Sequence, residues 1–341
     1  MASPLSSSIT DRDSRIRLAT SCALYYRQAV GDKRLKIISI CIITCDRASL
    51  LREAIYSCVA QNLPPDEVII GDDSLSNETE QLISSLRAEV PFPLSYRHHK
   101  PKLGQNANVN SVFERAMGTH LLLLHDDDTL LPNALEDLAA CWDLHPDLTA
   151  AYGKQYVISH DGSHDFVTSE SFNAAYRRTS EDAGLQSRPW MVGLTQQFPN
   201  DGYMIEAKAA KDTLWRSHNE VGYGAEFDFG LRLGLRYSKF FFVDKYTANY
   251  RETVGSSITH SASDDASLQA YRILSSASLP PAAEPLREER LRDLAPLAVR
   301  QAARQGKRQE ALSIFWSTHL SWRRRISPNG LRTLSFIIRP S

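Results

Sequence analysis

Three consecutive aspartates, Asp126, Asp127 and Asp128, stand directly after an apolar segment of the chain. Neighbouring carboxylates repel one another unless a positive charge lies between them. Mg²⁺ and Mn²⁺ prefer oxygen ligands and commonly share them with the phosphates of a substrate. We therefore predict that this acidic run binds Mn²⁺ or Mg²⁺ together with a phosphorylated ligand. The competing interpretation is a solvated turn whose acids favour the start of the following helix.

Two further acidic turns follow strand-like segments earlier in the chain. Runs that are mainly aliphatic and β-branched are typical of strands buried on both faces. The three segments are residues 35–43, 67–71 and 120–124, and the acids after them are Asp46, Asp72 with Asp73, and the run from Asp126 to Asp128. Helical patterns lie between these strands, an order that predicts an α/β fold with a mostly parallel sheet flanked by helices. Ligands bind at the carboxyl edge of such sheets, so the three acidic turns should meet there.

The second half of the chain has a looser pattern. Residues 159–200 are polar and predict an irregular functional loop or lid. A helix is predicted over residues 226–236 and a buried strand over residues 240–243. Residues 284–305 and 307–320 predict a pair of helices joined at a glycine.

Four segments resemble, in their order and spacing, the nucleotide-binding half of the family 2 glycosyltransferases, which have the GT-A fold. They are Ser-Ile-Cys-Ile-Ile-Thr-Cys-Asp-Arg at 39–47, Glu-Val-Ile-Ile-Gly-Asp-Asp-Ser at 67–74, residues 104–118 with their Gly-x-x-x-x-x-Asn segment, and residues 121–132 with the metal motif. No single segment is decisive, but the four together are specific. The resemblance implies a Rossmann-like GT-A domain over residues 35–260. This domain would have a nucleotide-sugar-binding half (35–158) and an acceptor-side half (159–260). A partly helical N-terminal extension (1–34) would precede it, and a basic, helical C-terminal extension (261–341) would follow it.

The resemblance also implies which residues bind the nucleotide-sugar donor. Thr44 and Asp46 would line the nucleobase and ribose pocket, with Arg47 beside them. Asp73 would accept a hydrogen bond from the imide N–H of uracil or thymine. Asn110 belongs to a donor-binding segment of the family.

The metal motif and the diphosphate site follow from the same resemblance. Asp127 would bind the cation that bridges the diphosphate, Asp126 would contact ribose or metal, and Asp128 would support them. Arg251 would contact the diphosphate.

Several positions depart from the family's pattern. Ile43 replaces a proline, His125 stands where many members have the first aspartate of the motif, and Val109 replaces an arginine. The histidine that often follows the arginine at position 251 is missing, so His125 or His260 could act at the metal or diphosphate site instead. These departures leave the base and the sugar of the donor open.

The start of the helix predicted over residues 226–236 contains the candidate catalytic residues. Inversion at an anomeric carbon requires an acceptor hydroxyl to attack opposite the leaving diphosphate, and a positioned carboxylate can take the proton of that hydroxyl. Glu226 occupies the position of the family's base, and Asp228 matches a later acid. The alternative is that both acids only favour the first turn of a helix.

The predicted function is inverting transfer of a sugar from a UDP- or dTDP-sugar to a hydroxyl of a saccharide, lipid-linked or small-molecule acceptor, in the synthesis of bacterial surface glycans or glycosylated metabolites. One alternative is a nucleotidyltransferase that makes a nucleotide-sugar, although residues 44–48 contain no glycine for the phosphate loop such enzymes use. A second alternative is a non-catalytic relative that binds a nucleotide-sugar.

Composition limits the surroundings in which the protein works. A formal net charge of -1 over 341 residues predicts no nucleic-acid partner, and five cysteines without a CxxC pair favour a reducing compartment. The sequence predicts neither a signal segment nor a membrane span, so we expect a cytoplasmic location. Residues 322–325 and 336–339 place arginines beside aromatic and aliphatic residues, which suits peripheral contact with the inner face of a membrane. A solvated helix end or a subunit contact is the alternative.

Overall fold

A computed structural model of the chain describes residues 36–252 and 265–338. The predicted N-terminal extension (1–34) and His260 lie outside the described residues. Within these two ranges, no helix is both long and apolar enough to cross a bilayer.

The strands of the described ranges form a single mixed sheet. They are β1 (Ile38–Thr44), β2 (Glu67–Asp72), β3 (Leu94–His98), β4 (His120–His125), β5 (Thr129–Leu130), β6 (Ala150–Ile158), β7 (His164–Asp165), β8 (Gly184–Leu185), β9 (Met204–Glu206) and β10 (Phe240–Arg251). The order across the sheet is β3-β2-β1-β4-β9-β6-β10-β5, with β7 beside β6 and β8 beside β10.

Helices cover both faces of this sheet, as the sequence predicts. They are α1 (Ala48–Val59), α2 (Glu78–Leu86), α3 (Gln105–Arg115), α4 (Ala134–Leu144), α5 (Phe166–Ala175), α6 (Pro189–Leu194), α7 (Ala207–Thr213), α8 (His218–Val221), α9 (Ala225–Arg236), α10 (Ala266–Ser276), α11 (Glu284–Arg304), α12 (Arg308–Trp316), α13 (Trp322–Ile326) and α14 (Pro328–Ile338).

The first part of the sheet is parallel, in the order β3-β2-β1-β4. Every residue of β1 is buried because helices pack on both of its faces. Ile40 and Ile42 belong to a hydrophobic cluster with α1 and α2, whereas Cys41 and Ile43 belong to a second cluster with α3. This two-sided burial explains the nearly continuous apolar run, and the strands predicted before the three acidic turns are confirmed.

β9 runs antiparallel between β4 and β6, so the sheet is not parallel throughout. The turn before β9 lies against the end of β4, where the backbone N–H of Gly202 donates a 2.8 Å hydrogen bond to the carbonyl oxygen of Leu123. Gly202 has φ 68°, a left-handed conformation that glycine adopts without strain. This turn brings Asp201 next to His125.

Residues 159–200 are not the irregular loop that their polarity predicts, because they contain α5 and α6. Asp165 caps α5 by accepting a 2.9 Å hydrogen bond from the backbone N–H of Thr168. α6 packs closely on α9, since a Cβ atom at Gly193 would lie 2.4 Å from the carbonyl oxygen of Gly230. This region is therefore a packed wall of the domain.

The carboxyl-terminal helices pack against α6 and α9. One hydrophobic cluster includes Phe229 of α9, Ala270 of α10, Ala298 of α11 and Phe315 of α12. The predicted helical pair is present as α11 and α12, and Gly306 between them has φ 71°. The domain boundary at residue 260 stays a prediction, although helices on its two sides share one core. The strand predicted over residues 240–243 begins as expected but continues to position 251 as β10.

Candidate active site

Arg47 joins two of the three consecutive aspartates. It stands just before α1, and its Nη2 lies 2.6 Å from Oδ1 of Asp126 while its Nη1 lies 2.6 Å from Oδ2 of Asp127. Asp126 is fully buried. Burial raises the pKa of Asp126 to about 6, although the guanidinium of Arg47 opposes the shift. The structure therefore holds the end of β1 and the end of β4 together by charge.

Asp128 belongs to a second buried group, together with Asp201 and His125. Potential ligand atoms of these three residues lie within 4.8 Å of one another. Oδ1 of Asp128 accepts a 2.7 Å hydrogen bond from the backbone N–H of Arg251, and Oδ2 of Asp201 accepts one of 2.9 Å from the backbone N–H of His125. Burial and the Asp201 carboxylate raise the pKa of Asp128 well above its usual range, and burial also raises the pKa of Asp201. The two carboxyl groups are placed to share a proton.

The His125 ring is the nitrogen donor of this group. Burial alone would lower its pKa, but the carboxylates of Asp201 and Glu226 raise the pKa overall. Its Nε2 atom is buried and has no hydrogen-bond partner within residues 36–252 and 265–338. A buried nitrogen without a partner beside two carboxylates is a donor set that a divalent cation would satisfy. His125, Asp128 and Asp201 therefore fit a site for a divalent cation.

A cavity of about 390 Å³ opens beside both acidic groups. Its volume falls in the range of small-molecule sites, roughly 300–1,000 Å³. The polar part of its lining contains Arg47, His125, Asp127 and Asp128. Its other lining residues include the aromatic side chains of Phe172, Tyr176, Tyr223 and Tyr250, and the α10 and α11 residues Ala266, Ser267, Ala270 and Leu294. Charged groups and aromatic surfaces thus share one cavity, and helices beyond residue 260 complete its wall.

α9 directs its two acids into different surroundings. Glu226 lines the cavity, and burial raises its pKa although His125 opposes the shift. Asp228 is buried outside the cavity lining, with Oδ2 accepting hydrogen bonds of 2.7 Å from Nε of Arg232 and 3.0 Å from Nε of Arg216. The structure therefore brings Glu226, and not Asp228, to the acidic groups. Two arginines bind the carboxylate of Asp228, and its predicted catalytic role stays a prediction.

Arg251 also lines the cavity, but protein groups bind its guanidinium. Its Nη2 lies 2.6 Å from Oε2 of Glu53. Its Nε donates a 2.8 Å hydrogen bond to the carbonyl oxygen of Asp127, and its Nη1 donates one of 2.8 Å to that of His160. Arg251 thus positions the acidic run, and its contact with a diphosphate stays a prediction.

Two of the predicted donor-binding residues lie where β1 ends. Thr44 is buried and is paired with Asp72 of β2. Asp46 has φ 56°, a left-handed conformation that aspartate tolerates better than most residues. Its N–H donates a 2.7 Å hydrogen bond to Oγ of Ser74, and its Oδ1 accepts one of 2.8 Å from the N–H of Leu75. These bonds hold the turns after β1 and β2 side by side.

Asp73 fixes the loop that leads into α3. Its Oδ2 accepts a 2.7 Å hydrogen bond from the N–H of Gly104, and its Oδ1 accepts one of 3.1 Å from that of Leu103. Nδ1 of His99 lies 3.1 Å from the same Oδ1. The carboxylate is buried, and its predicted bond to a nucleobase stays a prediction.

The side chain of Asn110 is hydrogen-bonded to the backbone of a distant segment. Its Nδ2 donates a 2.8 Å hydrogen bond to the carbonyl oxygen of Trp215, and its Oδ1 accepts one of 2.8 Å from the N–H of Trp215. It does not line the cavity that contains Glu226. The side chain therefore ties α3 to the segment before α8, and its predicted contact with the donor stays a prediction.

Sequence reasoning missed Arg178, a buried cation in the cavity lining. Its Nη1 donates a 2.8 Å hydrogen bond to Oε1 of Gln155, and its Nε donates one of 2.9 Å to the carbonyl oxygen of Gln197. Burial lowers its pKa to about 10, so it stays charged at neutral pH. Gln155 also donates to Oδ1 of Asp201 at 3.1 Å, which links Arg178 to the buried acids. No local motif marks this residue, because its partners are distant in sequence.

The family model for glycosyl transferase family 2 matches residues 39–193. A GalNAc(5)-diNAcBac-PP-undecaprenol beta-1,3-glucosyltransferase from Campylobacter jejuni is 25% identical over 236 residues, which are 69% of this chain and 70% of that protein. Other curated relatives are matched over 38% of their own length or less.

Solved structures resemble the chain along most of its length. TarS residues 1–349 from S. aureus, in complex with UDP-GlcNAc, aligns with a TM-score of 0.57 and 15% identity, over 89% of this chain and 81% of that one. The mannosyltransferase PcManGT from Pyrobaculum calidifontis, in complex with GDP-Man and Mn2+, aligns with a TM-score of 0.57 and 14% identity, over 97% and 96% of the two chains. At these identities the likeness shows the fold alone.

Proposed function

Because this chain is a family 2 glycosyltransferase with the GT-A fold, we propose that it transfers a sugar from a UDP- or dTDP-sugar to an acceptor hydroxyl, with inversion at the anomeric carbon. One observation carries the proposal. Asp127, Asp128 and Glu226 line the same cavity, so that groups suited to a diphosphate–metal complex and a group suited to proton removal lie within one small-molecule site.

The proposal includes Mn²⁺ or Mg²⁺. Asp127 would bind the cation from the cavity side, and the carboxylates and ring of Asp128, Asp201 and His125 provide further oxygen and nitrogen donors. When bound, the cation would neutralise the charge of the departing diphosphate. The presence of Mn2+ in the PcManGT complex supports this part of the proposal.

The donor nucleotide is proposed to bind at the ends of β1 and β2. Thr44, Asp46 and Asp73 lie there, where ligands bind in open α/β sheets. Arg47 bridges Asp126 and Asp127, so a metal-bound diphosphate would have to share these carboxylates with its guanidinium. Small shifts of Arg47 would then release the carboxylates and place a positive charge beside the phosphates.

Glu226 is proposed to take the proton of the acceptor hydroxyl. Burial raises the pKa of Glu226 toward neutral pH. A carboxylate with a higher pKa accepts a proton more readily, and it acts as a general base as long as it remains ionised. Phe172, Tyr176 and Tyr250 line the cavity and offer flat apolar surfaces to a sugar ring. Asp228 is assigned no catalytic step.

A lipid-linked acceptor is the part of the proposal that rests on the Campylobacter jejuni relative, whose name includes PP-undecaprenol. With such an acceptor the enzyme would work at the cytoplasmic face of a membrane, in the synthesis of a bacterial surface glycan.

The direct test is incubation of the protein with a panel of nucleotide-sugars, Mn²⁺ and membrane-extracted lipid acceptors. We expect free nucleoside diphosphate from a UDP- or dTDP-sugar, and its loss on addition of EDTA. Release of pyrophosphate in a parallel incubation with a nucleoside triphosphate and a sugar 1-phosphate would instead indicate nucleotidyl transfer. Binding of a nucleotide-sugar without any release would indicate a non-catalytic relative.

A further inference from the structure

The last two helices of the described chain, α13 and α14, expose an unusual density of large apolar side chains. Trp322, Ile326, Leu331, Phe336 and Ile338 are each more than half exposed. Only Ile337 of α14 is buried. Single exposed apolar side chains are ordinary, but five on two short consecutive helices indicate a surface that contacts an apolar partner. We call the exposed residues of these two helices the terminal surface.

The charge of the terminal surface identifies the kind of partner. Residues 322–338 contain four arginines and no acidic residue. Arg323, Arg324 and Arg332 are exposed, and the guanidinium of Arg323 lies 5.6 Å from the ring centroid of Trp322. Arginine and tryptophan side by side suit the boundary between lipid headgroups and acyl chains. Arginine and tryptophan are also enriched at protein–protein interfaces, so a second copy of the chain is the competing partner that the experiment below tests.

A groove between α11 and α14 adds to the positive charge. Its volume is about 490 Å³, and three arginines line it: Arg300, Arg304 and Arg332. The exposed ring of Phe336 lies at the same groove. A phosphate-bearing headgroup would meet these guanidinium groups while the neighbouring aromatic ring enters the apolar layer.

We propose that the terminal surface binds an anionic lipid bilayer, with α13 and α14 lying in its interface. α11 connects this surface to the cavity, since Leu294 lines the cavity and Arg304 lines the groove. Ten residues of helix separate them, a distance of about 15 Å along the helix axis. The cavity would therefore stay close to the headgroup layer, where a lipid-linked acceptor presents its sugar. This inference goes beyond the proposed function and does not require it.

The test is co-sedimentation of the full chain with vesicles of phosphatidylcholine alone and with vesicles of equal parts phosphatidylcholine and phosphatidylglycerol. We expect binding to the anionic vesicles, weakened by salt. The triple variant R323Q/R324Q/R332Q should lose about a hundredfold in affinity, since each basic residue near an anionic surface contributes about fivefold. The variant W322S/F336S should lose at least tenfold. The control L144S/V167S alters two exposed aliphatic side chains elsewhere and should bind as the wild type does.

Equal binding to both kinds of vesicle, or unchanged binding by the two surface variants, would overturn the proposal. A dimer of the wild type in size-exclusion chromatography that W322S/F336S converts to a monomer would also overturn it, and would assign the surface to a second copy of the chain. Nucleotide binding by the same variants should be unaltered. If the wild type binds vesicles but no nucleotide, the proposed function fails and the membrane inference stands.

Discussion

Oδ2 of Asp228 lies 2.7 Å from Nε of Arg232, four residues further along the same helix. Arg216 binds the same carboxylate from outside the helix. Glu226, two residues earlier, points to a different side of α9 because successive residues are rotated by about 100°. This one helix therefore separates an acid that stabilises the fold from an acid that lines the cavity.

The first prediction compares these two acids. Glu226→Gln keeps the size of the side chain but removes the proton acceptor, so turnover should fall by about 10²–10⁴-fold with little change in donor affinity. Asp228→Asn should instead lower the free energy of unfolding by about 1–3 kcal/mol, because it leaves two arginines without their charged partner. Steady-state kinetics and urea unfolding of both variants are the measurements. A large loss of turnover in a fully folded Asp228→Asn protein, with near-normal Glu226→Gln, would transfer the base to Asp228.

The pH dependence of the rate provides the second prediction. A general base must be deprotonated to act, and burial raises the pKa of Glu226 above the usual value for glutamate. The acid limb of kcat/KM should therefore lie at a higher pH than for an exposed glutamate, with activity rising as pH rises through it. In Glu226→Gln this limb should disappear from the residual rate. An unchanged limb in that variant would show that another group titrates.

Asn110 is the subject of the third prediction. Its side chain makes two hydrogen bonds with the backbone of Trp215, so Asn110→Ala should destabilise the protein by about 1–3 kcal/mol and leave donor affinity nearly unchanged. Asn77→Ala is a matched control, because that exposed asparagine accepts a hydrogen bond from Lys100 at the surface. Thermal unfolding of both variants measures the loss of stability, and nucleotide titration measures their donor affinity. Weaker donor binding by a stable Asn110→Ala protein would restore the donor role that the family resemblance implies.

The sequence predicts β1, β2 and β4 well because these strands are buried on both faces. A strand such as β1 has to be apolar throughout, and the acids that end it are visible as an abrupt change of composition. β9 is only three residues long, and its antiparallel place between β4 and β6 depends on contacts that no local pattern encodes. The place of such a strand within the sheet cannot be predicted from periodicity.

The candidate site shows the same division between local and distant signals. Asp126, Asp127 and Asp128 are adjacent in sequence, so the predicted acidic site needs no tertiary information. Asp201 reaches His125 only through the turn before β9, and Arg178 reaches the cavity through partners on β6 and after α6. The family resemblance implies a donor contact for Asn110. In the structure its amide donates a hydrogen bond to the carbonyl oxygen of Trp215, 105 residues away in sequence.

We propose that this acidic group binds a nucleotide together with a divalent cation. Calorimetric titration of UDP into the protein, with Mn²⁺ and with EDTA, measures that binding directly. We expect the wild type to bind UDP only with Mn²⁺, and Asp127→Ala to lose this binding while remaining folded. Asp143→Ala, which removes an exposed surface carboxylate, should retain it. Equal UDP affinity in the wild type and Asp127→Ala, or affinity that EDTA does not change, would contradict the metal site.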